Sequence, residues 1–228
     1  MTNKPQISMN KTNPYHNQPQ EKWAEITKQL VDKHPLKDEL VDVVLQSWQD
    51  IFNSSIGGFK IGKDIFPEPQ ILGFFLHDLI ALHLSKLHPD IYKLGEAKTE
   101  KDIHHLSDST LSIEIKTSSN PSQIFANRSY AQPPTGNEKK EKDGYFLAVN
   151  FEKVSEDNKT PQILLIRFGF LEHSDWKAQV AATGQQAHLS ADTYKKKFVT
   201  LYRAGETVSD ETEDIAPSEP NGNVSEQV

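Results

Sequence analysis

Apolar and polar side chains alternate along residues 111–120. Ile113 and Ile115 alternate with Glu114 and Lys116, and successive side chains of a β-strand point to opposite faces of its sheet. The pattern therefore predicts a strand with one face against a core. Its other face carries a carboxylate next to an ammonium group.

The residues before this strand show a helical spacing of apolar side chains. Apolar residues spaced by three and four positions predict helices over residues 21–31, 36–52 and 69–87, with a short extended piece near residues 59–61. The third helix is apolar almost all round and should be buried. Its interruptions, His77 and Asp78, either have partners within the core, lie at a solvent edge, or point towards a functional site.

The strand predicted over residues 111–120 has a short predecessor at residues 102–107, and residues 108–110 have turn chemistry. Together they predict a tight hairpin in which Asp102 lies opposite Glu114 and residues 107–109 form the loop. Residues 88–100 are interpreted as a connector.

Two apolar, β-branched runs predict buried strands over residues 144–151 and 162–170. Ser174 and Ser190 are placed to cap helices over residues 175–182 and 191–202. The element order predicts an α/β fold with a mixed central β-sheet flanked by helices.

Composition divides the chain into three parts. Residues 1–20 are polar and are predicted to be disordered or arm-like, residues 21–204 form a single domain, and residues 205–228 form an acidic disordered tail. The absence of cysteine excludes disulfides and indicates an intracellular protein. With neither an apolar run long enough to span a membrane nor a signal-peptide pattern, we expect a cytoplasmic location.

Net charge is uninformative until its distribution is considered. The chain carries a net charge of −7, but seven of its acidic residues lie in the tail, which has no Lys or Arg. Without them, 25 acidic residues face 25 basic ones. A neutral body neither supports nor excludes binding to DNA.

The Glu-x-Lys pair on the predicted strand matches the needs of metal-dependent phosphodiester cleavage. Such cleavage requires a hard cation, an activated water and neutralisation of developing charge. Mg²⁺ takes oxygen ligands, which Glu114 and the carbonyl of Ile115 can supply, and Lys116 can orient or help deprotonate the water. The second carboxylate is Asp102, favoured by the hairpin, or Asp108. The alternative is an ordinary surface ion pair.

Residues 120–132 mix aromatic, amide and basic side chains. Arginine can take guanine bidentately, and asparagine and glutamine suit adenine. The candidate DNA-binding residues are Asn120, Asn127, Arg128, Tyr130 and Gln132. A weaker set contains Gln185 and Gln186. The alternative is that Asn127 and Arg128 stabilise their own loop or contact phosphate.

The segment SIEIKTSS at residues 112–119 resembles the signature of PD-(D/E)XK nucleases. Taken with Asp102, Asp108 and residues 124–132, the chain over roughly residues 71–202 resembles type II restriction endonucleases of the ScaI type. The resemblance implies a PD-(D/E)XK core in which Asp102 or Asp108, Glu114 and Lys116 are catalytic, with Asp78 as a possible accessory acid.

The same resemblance implies an activity. It is Mg²⁺-dependent cleavage of double-stranded DNA at a short palindromic site, by a homodimer, leaving 5′-phosphates. A companion DNA methyltransferase is implied as well. Two alternatives remain open: a repair or junction-resolving nuclease of the same superfamily, and a non-catalytic, sequence-specific DNA-binding protein.

Overall fold

The computed structural model describes residues 13–97, 99–132, 141–181 and 183–206. The α-helices of this part of the chain are α1 (Trp23–Asp32), α2 (Leu40–Asn53), α3 (Pro69–Leu87) and α4 (Ala191–Lys197). Its strands are β1 (Ser55–Ile56), β2 (Phe59–Lys60), β3 (Tyr92–Leu94), β4 (Ile103–His105), β5 (Ile113–Ser118), β6 (Phe125–Asn127), β7 (Gly144–Phe151), β8 (Ile163–Leu171), β9 (Trp176–Ala178), β10 (Gln186–Leu189) and β11 (Phe198–Arg203).

Six strands form the main sheet in the order β11-β8-β7-β5-β4-β3. The β5–β7 pair is parallel and the other pairs are antiparallel, so the sheet is mixed. The predicted fold class is confirmed. Strands β7 and β8 are almost wholly buried, as their apolar sequences predict.

Helices α1, α2 and α3 cover one face of the main sheet. Helix α3 has the predicted bounds, and Leu72, Leu76, Ile80 and Leu84 on it are fully buried. The expectation that α3 is buried nearly all round was wrong, because only one side of the helix packs on the sheet and its other side exposes large apolar side chains: Ile71, Phe74, Leu82 and Leu87. Ile115 of β5 joins this core from the sheet. The described helices do not include one with both the length and the apolar character needed to cross a bilayer.

The opposite face of the main sheet packs against a small antiparallel sheet of order β6-β10-β9. Phe146 and Ala148 of β7 meet Ala126, Trp176 and Ala187 of the small sheet in a second apolar cluster. Because β7 contributes to both clusters, the main sheet lies between the helices and the small sheet.

The helix predicted over residues 175–182 was wrong. A 3-10 turn at residues 173–175 leads into strand β9, and Glu172 and Asp175 form the capping box in place of Ser174. Trp176 is buried against the second cluster while Lys177 is exposed. Pairing with β10 and burial of the indole outweigh the local helix signal.

The last predicted helix was too long. Ser190 does cap α4, with its Oγ accepting from the backbone N–H of Thr193 at 3.1 Å, but the helix ends at Lys197. The chain continues as β11 along the edge of β8, where Phe198 lies opposite Gly169. A sheet edge with open backbone groups provides hydrogen bonds that the helical pattern does not reveal.

Two local predictions between the helices and β5 also needed correction. The supposed connector over residues 88–100 contains β3, which pairs with β4. The predicted three-residue hairpin loop is replaced by a 3-10 turn at Ser109–Leu111, because the side chain of Asp108 caps that turn by accepting from Thr110 N at 3.1 Å.

Part of the predicted N-terminal arm packs on the domain. Tyr15 is 3% exposed, and its hydroxyl donates to the carbonyl of Phe170 at 3.0 Å. Residues 13–20 therefore belong to the folded body. Residues 1–12 and residues 207–228 of the predicted acidic tail lie outside the described residues, and the division into domain and ends stays a prediction.

A buried ion cluster fastens the N-terminal segment to α4. Lys197 is 1% exposed, and its Nζ lies 2.7 Å from Glu172 and 2.8 Å from Asp175. The same ammonium lies over the rings of Tyr15 and Trp23, at 4.1 and 4.5 Å from their centroids. Such a cation is compensated by charge and by π faces together.

We predict that Lys197→Met lowers the free energy of unfolding by about 3–5 kcal/mol, because the carboxylates of Glu172 and Asp175 then stay buried without a cation. Lys196→Met is the control. It removes an exposed pair with Asp192 and should cost under about 1 kcal/mol. Urea unfolding of both variants is the measurement, and equal midpoints would contradict the prediction.

Candidate active site

Strand β5 holds Glu114 and Lys116 on the face of the main sheet that the small sheet covers. Their parallel partners on β7 are Phe146 and Ala148, both in the second apolar cluster. Glu114 is 2% exposed, and Lys116 Nζ donates to its Oε1 at 2.5 Å. A carboxylate this buried needs the cation beside it.

Asp102 lies across from this pair, as the predicted register requires. Ile103 pairs with Ile113, so one further step along the two antiparallel strands places Asp102 opposite Glu114. Beyond the Ile103–Ile113 pair, a side chain replaces the backbone of β4 as the hydrogen-bond acceptor: Asp102 Oδ2 accepts from the Ile115 N–H at 2.7 Å. The two carboxylates therefore flank the backbone of Ile115.

We call Asp102, Glu114 and Lys116 the carboxylate–lysine cluster. The structure does not bring Asp108 to this cluster. Asp108 lies at the closed end of the hairpin, where its Oδ1 accepts from the N–H and the hydroxyl of Thr110 at 3.1 and 2.5 Å. This is the geometry of a residue that stabilises a turn.

Helix α3 adds a histidine to the cluster. His77 Nε2 lies 3.1 Å from Asp102 Oδ2, and its Nδ1 lies 3.1 Å from Asp78 Oδ1. Burial by itself lowers the pKa of His77, but the two carboxylates outweigh it and raise the pKa above its usual value. Asp78 thus reaches the site only through His77.

Tyr130, predicted to contact DNA, has its hydroxyl in the carboxylate–lysine cluster. The hydroxyl donates to Glu114 Oε1 and accepts from Lys116 Nζ at 3.3 Å. The ammonium also lies 4.8 Å from the centroid of the Tyr130 ring. Burial, followed by the negative charge of Glu114, raises the pKa of Tyr130 far above its usual value, so the hydroxyl stays a donor.

The cluster opens into two adjoining clefts. One, of about 460 Å³, is lined by Glu114, Lys116 and Asn127, among others. The other, of about 850 Å³, runs along α3 past His77 and Asn120. Phe125 and Gln186 line both clefts, so the clefts adjoin each other, and we call the two together the trough.

Two predicted DNA contacts are engaged in holding loops. Asn120 Oδ1 accepts from the backbone N–H groups of Ser122 and Gln123 at 3.0 and 2.9 Å. Arg128 donates from Nη1 to the carbonyls of Ala181 and Gly184, both at 3.0 Å. Asn120 thus stabilises its own loop, whereas Arg128 holds the turn between β9 and β10. That either residue contacts DNA stays a prediction.

Asn127 and Gln132 have different surroundings. Asn127 is exposed on β6 and lines the smaller cleft. Gln132 is exposed beyond the 3-10 turn at Arg128–Ala131, and its backbone carbonyl accepts from Lys142 Nζ at 2.7 Å.

The sequence patterns gave little weight to two residues that lie at this site. His77 was considered only as an alternative to Asp78, although the three-residue steps of α3 could have placed it above β5. Gln186 was assigned to a weaker set because the strand β10 was not predicted. Gln186 pairs with Asn127 across the small sheet, and this contact joins strands that are distant in sequence.

The donor set fits a hard cation. Asp102, Glu114 and the carbonyl of Ile115 present oxygen atoms, which Mg²⁺ prefers, and Mg²⁺ commonly takes one or two carboxylates and fills its shell with phosphate oxygens and water. Within the described ranges no group of three or more His, Asp or Glu side chains could hold a metal ion. A site completed by the substrate is compatible with that observation.

Two acids and a lysine thus lie together at neighbouring strands of a mixed sheet, beside the trough, and these are groups that a nuclease uses to hydrolyse a phosphodiester. The family model of the ScaI restriction endonuclease matches residues 13–202 of this chain. The type II restriction enzyme ScaI of Streptomyces caespitosus is 45% identical over 196 residues, which cover 85% of this chain and 86% of that enzyme. The chain therefore belongs to the ScaI restriction endonuclease family, and it is a type II site-specific deoxyribonuclease.

We predict that Tyr130→Phe slows DNA cleavage about 10- to 100-fold, because Glu114 is expected to hold the metal ion and this is the usual cost of losing a hydrogen bond to a metal ligand. Removing the hydroxyl frees Glu114 to rotate. The measurement is the single-turnover cleavage rate, together with DNA affinity in EDTA, which should not change.

Tyr202→Phe, on the partly exposed edge strand β11, is the matched control for this substitution and should cleave at the wild-type rate. A Tyr130→Phe variant that cuts normally but binds DNA weakly would show that the hydroxyl contacts DNA instead.

Proposed function

We propose that this endonuclease cuts both strands of DNA at a short palindromic site in an Mg²⁺-dependent reaction that leaves 5′-phosphates. The observation that carries the proposal is the convergence of Asp102, Glu114 and Lys116 around the backbone of Ile115. These are the groups that hydrolysis of a phosphodiester requires.

Asp102, Glu114 and the carbonyl of Ile115 are the groups that would hold the ion. When bound, Mg²⁺ supplies Lewis-acid polarisation of the scissile phosphate and lowers the pKa of a coordinated water. The favoured second acid is Asp102, since Asp108 is committed to the hairpin turn. His77 and Asp78 would hold Asp102 in place from the helix side.

Lys116 is the residue nearest to the expected chemistry. Its ammonium reaches Glu114 Oε1 at 2.5 Å, the carbonyl of Ile115 at 3.3 Å and the Tyr130 hydroxyl at 3.3 Å. From this position it would orient or help deprotonate the attacking water and neutralise charge that develops on the phosphate.

A homodimer follows from the palindromic site. Reading such a site symmetrically requires a protein two-fold axis that coincides with the axis of the DNA. We further propose that the enzyme acts in the cytoplasm. A companion DNA methyltransferase would protect the host genome there. Light scattering of the purified protein should give a mass of two chains.

The first test is digestion of phage DNA by wild type in Mg²⁺ and in EDTA, with Lys116→Ala and the exposed control Lys33→Ala in parallel. We expect discrete bands from wild type and Lys33→Ala in Mg²⁺ only, and at least a 100-fold loss for Lys116→Ala. The fragments should ligate without kinase treatment, as 5′-phosphates do.

Other outcomes of the digestion favour the alternatives. A smear would indicate a repair-type or non-specific nuclease of the same superfamily. Intact DNA in every lane, with a sequence-specific footprint, would indicate a DNA-binding protein without catalytic activity.

The second test separates the two aspartates. We predict that Asp102→Asn abolishes cleavage, because the amide replaces a metal-binding carboxylate, while its hydrogen bond to Ile115 can still form. Asp108→Asn should retain most of the activity and lose a little stability at the turn. Single-turnover rates and melting temperatures are measured for both, and the reverse ranking of rates would assign the metal to Asp108.

A further inference from the structure

The outward face of the small sheet carries a set of exposed polar side chains. Directly opposed residues of antiparallel strands share a face, and Asn127 of β6 pairs with Gln186 of β10. Two positions along β10, His188 pairs with Phe125 on one side and Lys177 on the other. We call Asn127, Gln186, His188 and Lys177 the polar face; all four are exposed.

The other side of the same sheet is apolar and fixed. Ala126 pairs with Ala187, which in turn pairs with Ala178, and the first two are buried in the second apolar cluster. This two-residue alternation leaves no freedom in which side chains point outwards. A one-residue slip would bury Gln186 and expose Ala187.

The sheet is anchored at both ends of the polar face. Arg128, directly after β6, holds the turn between β9 and β10 through the carbonyls of Ala181 and Gly184. On the other side of β6, the backbone N–H of Ile124 donates to the Tyr194 hydroxyl at 2.9 Å. Amide side chains on such a support are pre-organised for binding.

The polar face also continues into the active site. Asn127 and Gln186 line the same cleft as Glu114 and Lys116, and Gln186 also lines the larger cleft beside α3. DNA placed with a phosphate at Lys116 therefore lies against this face. Lys177 and His188 extend it: the ammonium of Lys177 complements the charge of the backbone phosphates, and the imidazole N–H of His188 can donate to a phosphate oxygen.

We propose that the small sheet enters the major groove and that Gln186 and Asn127 determine specificity by each reading an adenine edge. This deepens the proposed function and rests on it. The major groove admits a β-ribbon, and an amide can pair bidentately with N6 and N7 of adenine. Cross-strand neighbours are about 5 Å apart at Cβ, which suits two adjacent base pairs stacked about 3.4 Å apart.

Lys177 and His188 have a separate role. They contact phosphate and set affinity without selecting sequence. Tyr130, in the turn that follows β6, connects the reading strand to Glu114, so seating of the sheet in the groove and positioning of the catalytic carboxylate are mechanically linked.

The test uses duplexes that carry the site mapped from phage DNA and the set in which each base pair of the site is replaced in turn. For each duplex kcat/KM is measured with wild type, Gln186→Ala, Asn127→Ala and Gln49→Ala. Binding of wild type and Lys177→Ala to the same duplexes is measured in EDTA at several salt concentrations. Gln49 is the matched control, exposed on α2 in the helical layer. Melting temperatures verify that every variant folds.

We expect Gln186→Ala to lose about 10- to 100-fold on the mapped site and to lose discrimination at one A·T position only. Asn127→Ala should do the same at the neighbouring position. Gln49→Ala should match wild type throughout. Lys177→Ala should weaken binding to all duplexes equally and reduce the salt dependence by about one charge.

The result distinguishes two failures. If wild type does not discriminate between the mapped site and its replacements, the proposed function is wrong. If wild type discriminates and Gln186→Ala keeps every ratio, or loses activity equally on all duplexes, the assignment of base reading to this face is overturned.

Discussion

The central constraint on this protein is the environment of one strand, β5. On one side its backbone pairs with β7 in parallel over six positions, from Ile113 to Ser118. On the other side regular pairing with β4 is confined to Ile103 and Ile113, and the carboxylate of Asp102 accepts the next available N–H, that of Ile115, at 2.7 Å. A side chain thus completes the hydrogen bonding of a buried strand where the neighbouring strand diverges.

Because a side chain replaces the backbone as the hydrogen-bond acceptor of Ile115, Asp102 and Glu114 come together at this point of β5. If β4 continued alongside β5, the N–H of Ile115 would bond to a carbonyl and no carboxylate would be drawn in. With the strands separated, Asp102 and Glu114 flank Ile115, and His77 from α3 holds Asp102 from above. Glu114 is buried, and Lys116 and the Tyr130 hydroxyl both donate to its Oε1 and hold the carboxylate in place.

The period-two alternation of β5 also places the chemistry next to the small sheet. Ile115 faces the helices, whereas Glu114 and Lys116 face the layer that contains β6 and β10. The proposed catalytic residues Glu114 and Lys116 therefore line the same cleft as Gln186, which is about 70 positions further along the chain. Tyr130 contacts Glu114 and Lys116 and so belongs structurally to the proposed catalytic cluster.

The sequence predicted correctly those elements whose signal lies in residues close together in the chain. The alternation of β5, the bounds of α3 and the burial of β7 were recognisable because each element's neighbours in sequence carry the signal. The exposure of one side of α3 was not, because its apolar sequence runs almost all round the helix. The register of Asp102 against Glu114 was predicted from the hairpin, even though the loop itself is a 3-10 turn capped by Asp108.

Other features depend on partners distant in sequence. Strand β9 exists because Trp176 packs under the main sheet, and β11 because the edge of β8 was open. Asn120 and Arg128 have the chemistry of base readers, but the structure shows them holding loops. No spacing in the sequence could have revealed these contacts, nor the pairing of Asn127 with Gln186.

The most direct test is anomalous diffraction from crystals of the enzyme bound to its mapped site and soaked with Mn²⁺ in place of Mg²⁺. The account predicts a metal peak in ligand contact with Asp102, Glu114 and the carbonyl of Ile115, with the scissile phosphate completing the shell. A peak coordinated by Asp108, or by neither Asp102 nor Glu114, would contradict it.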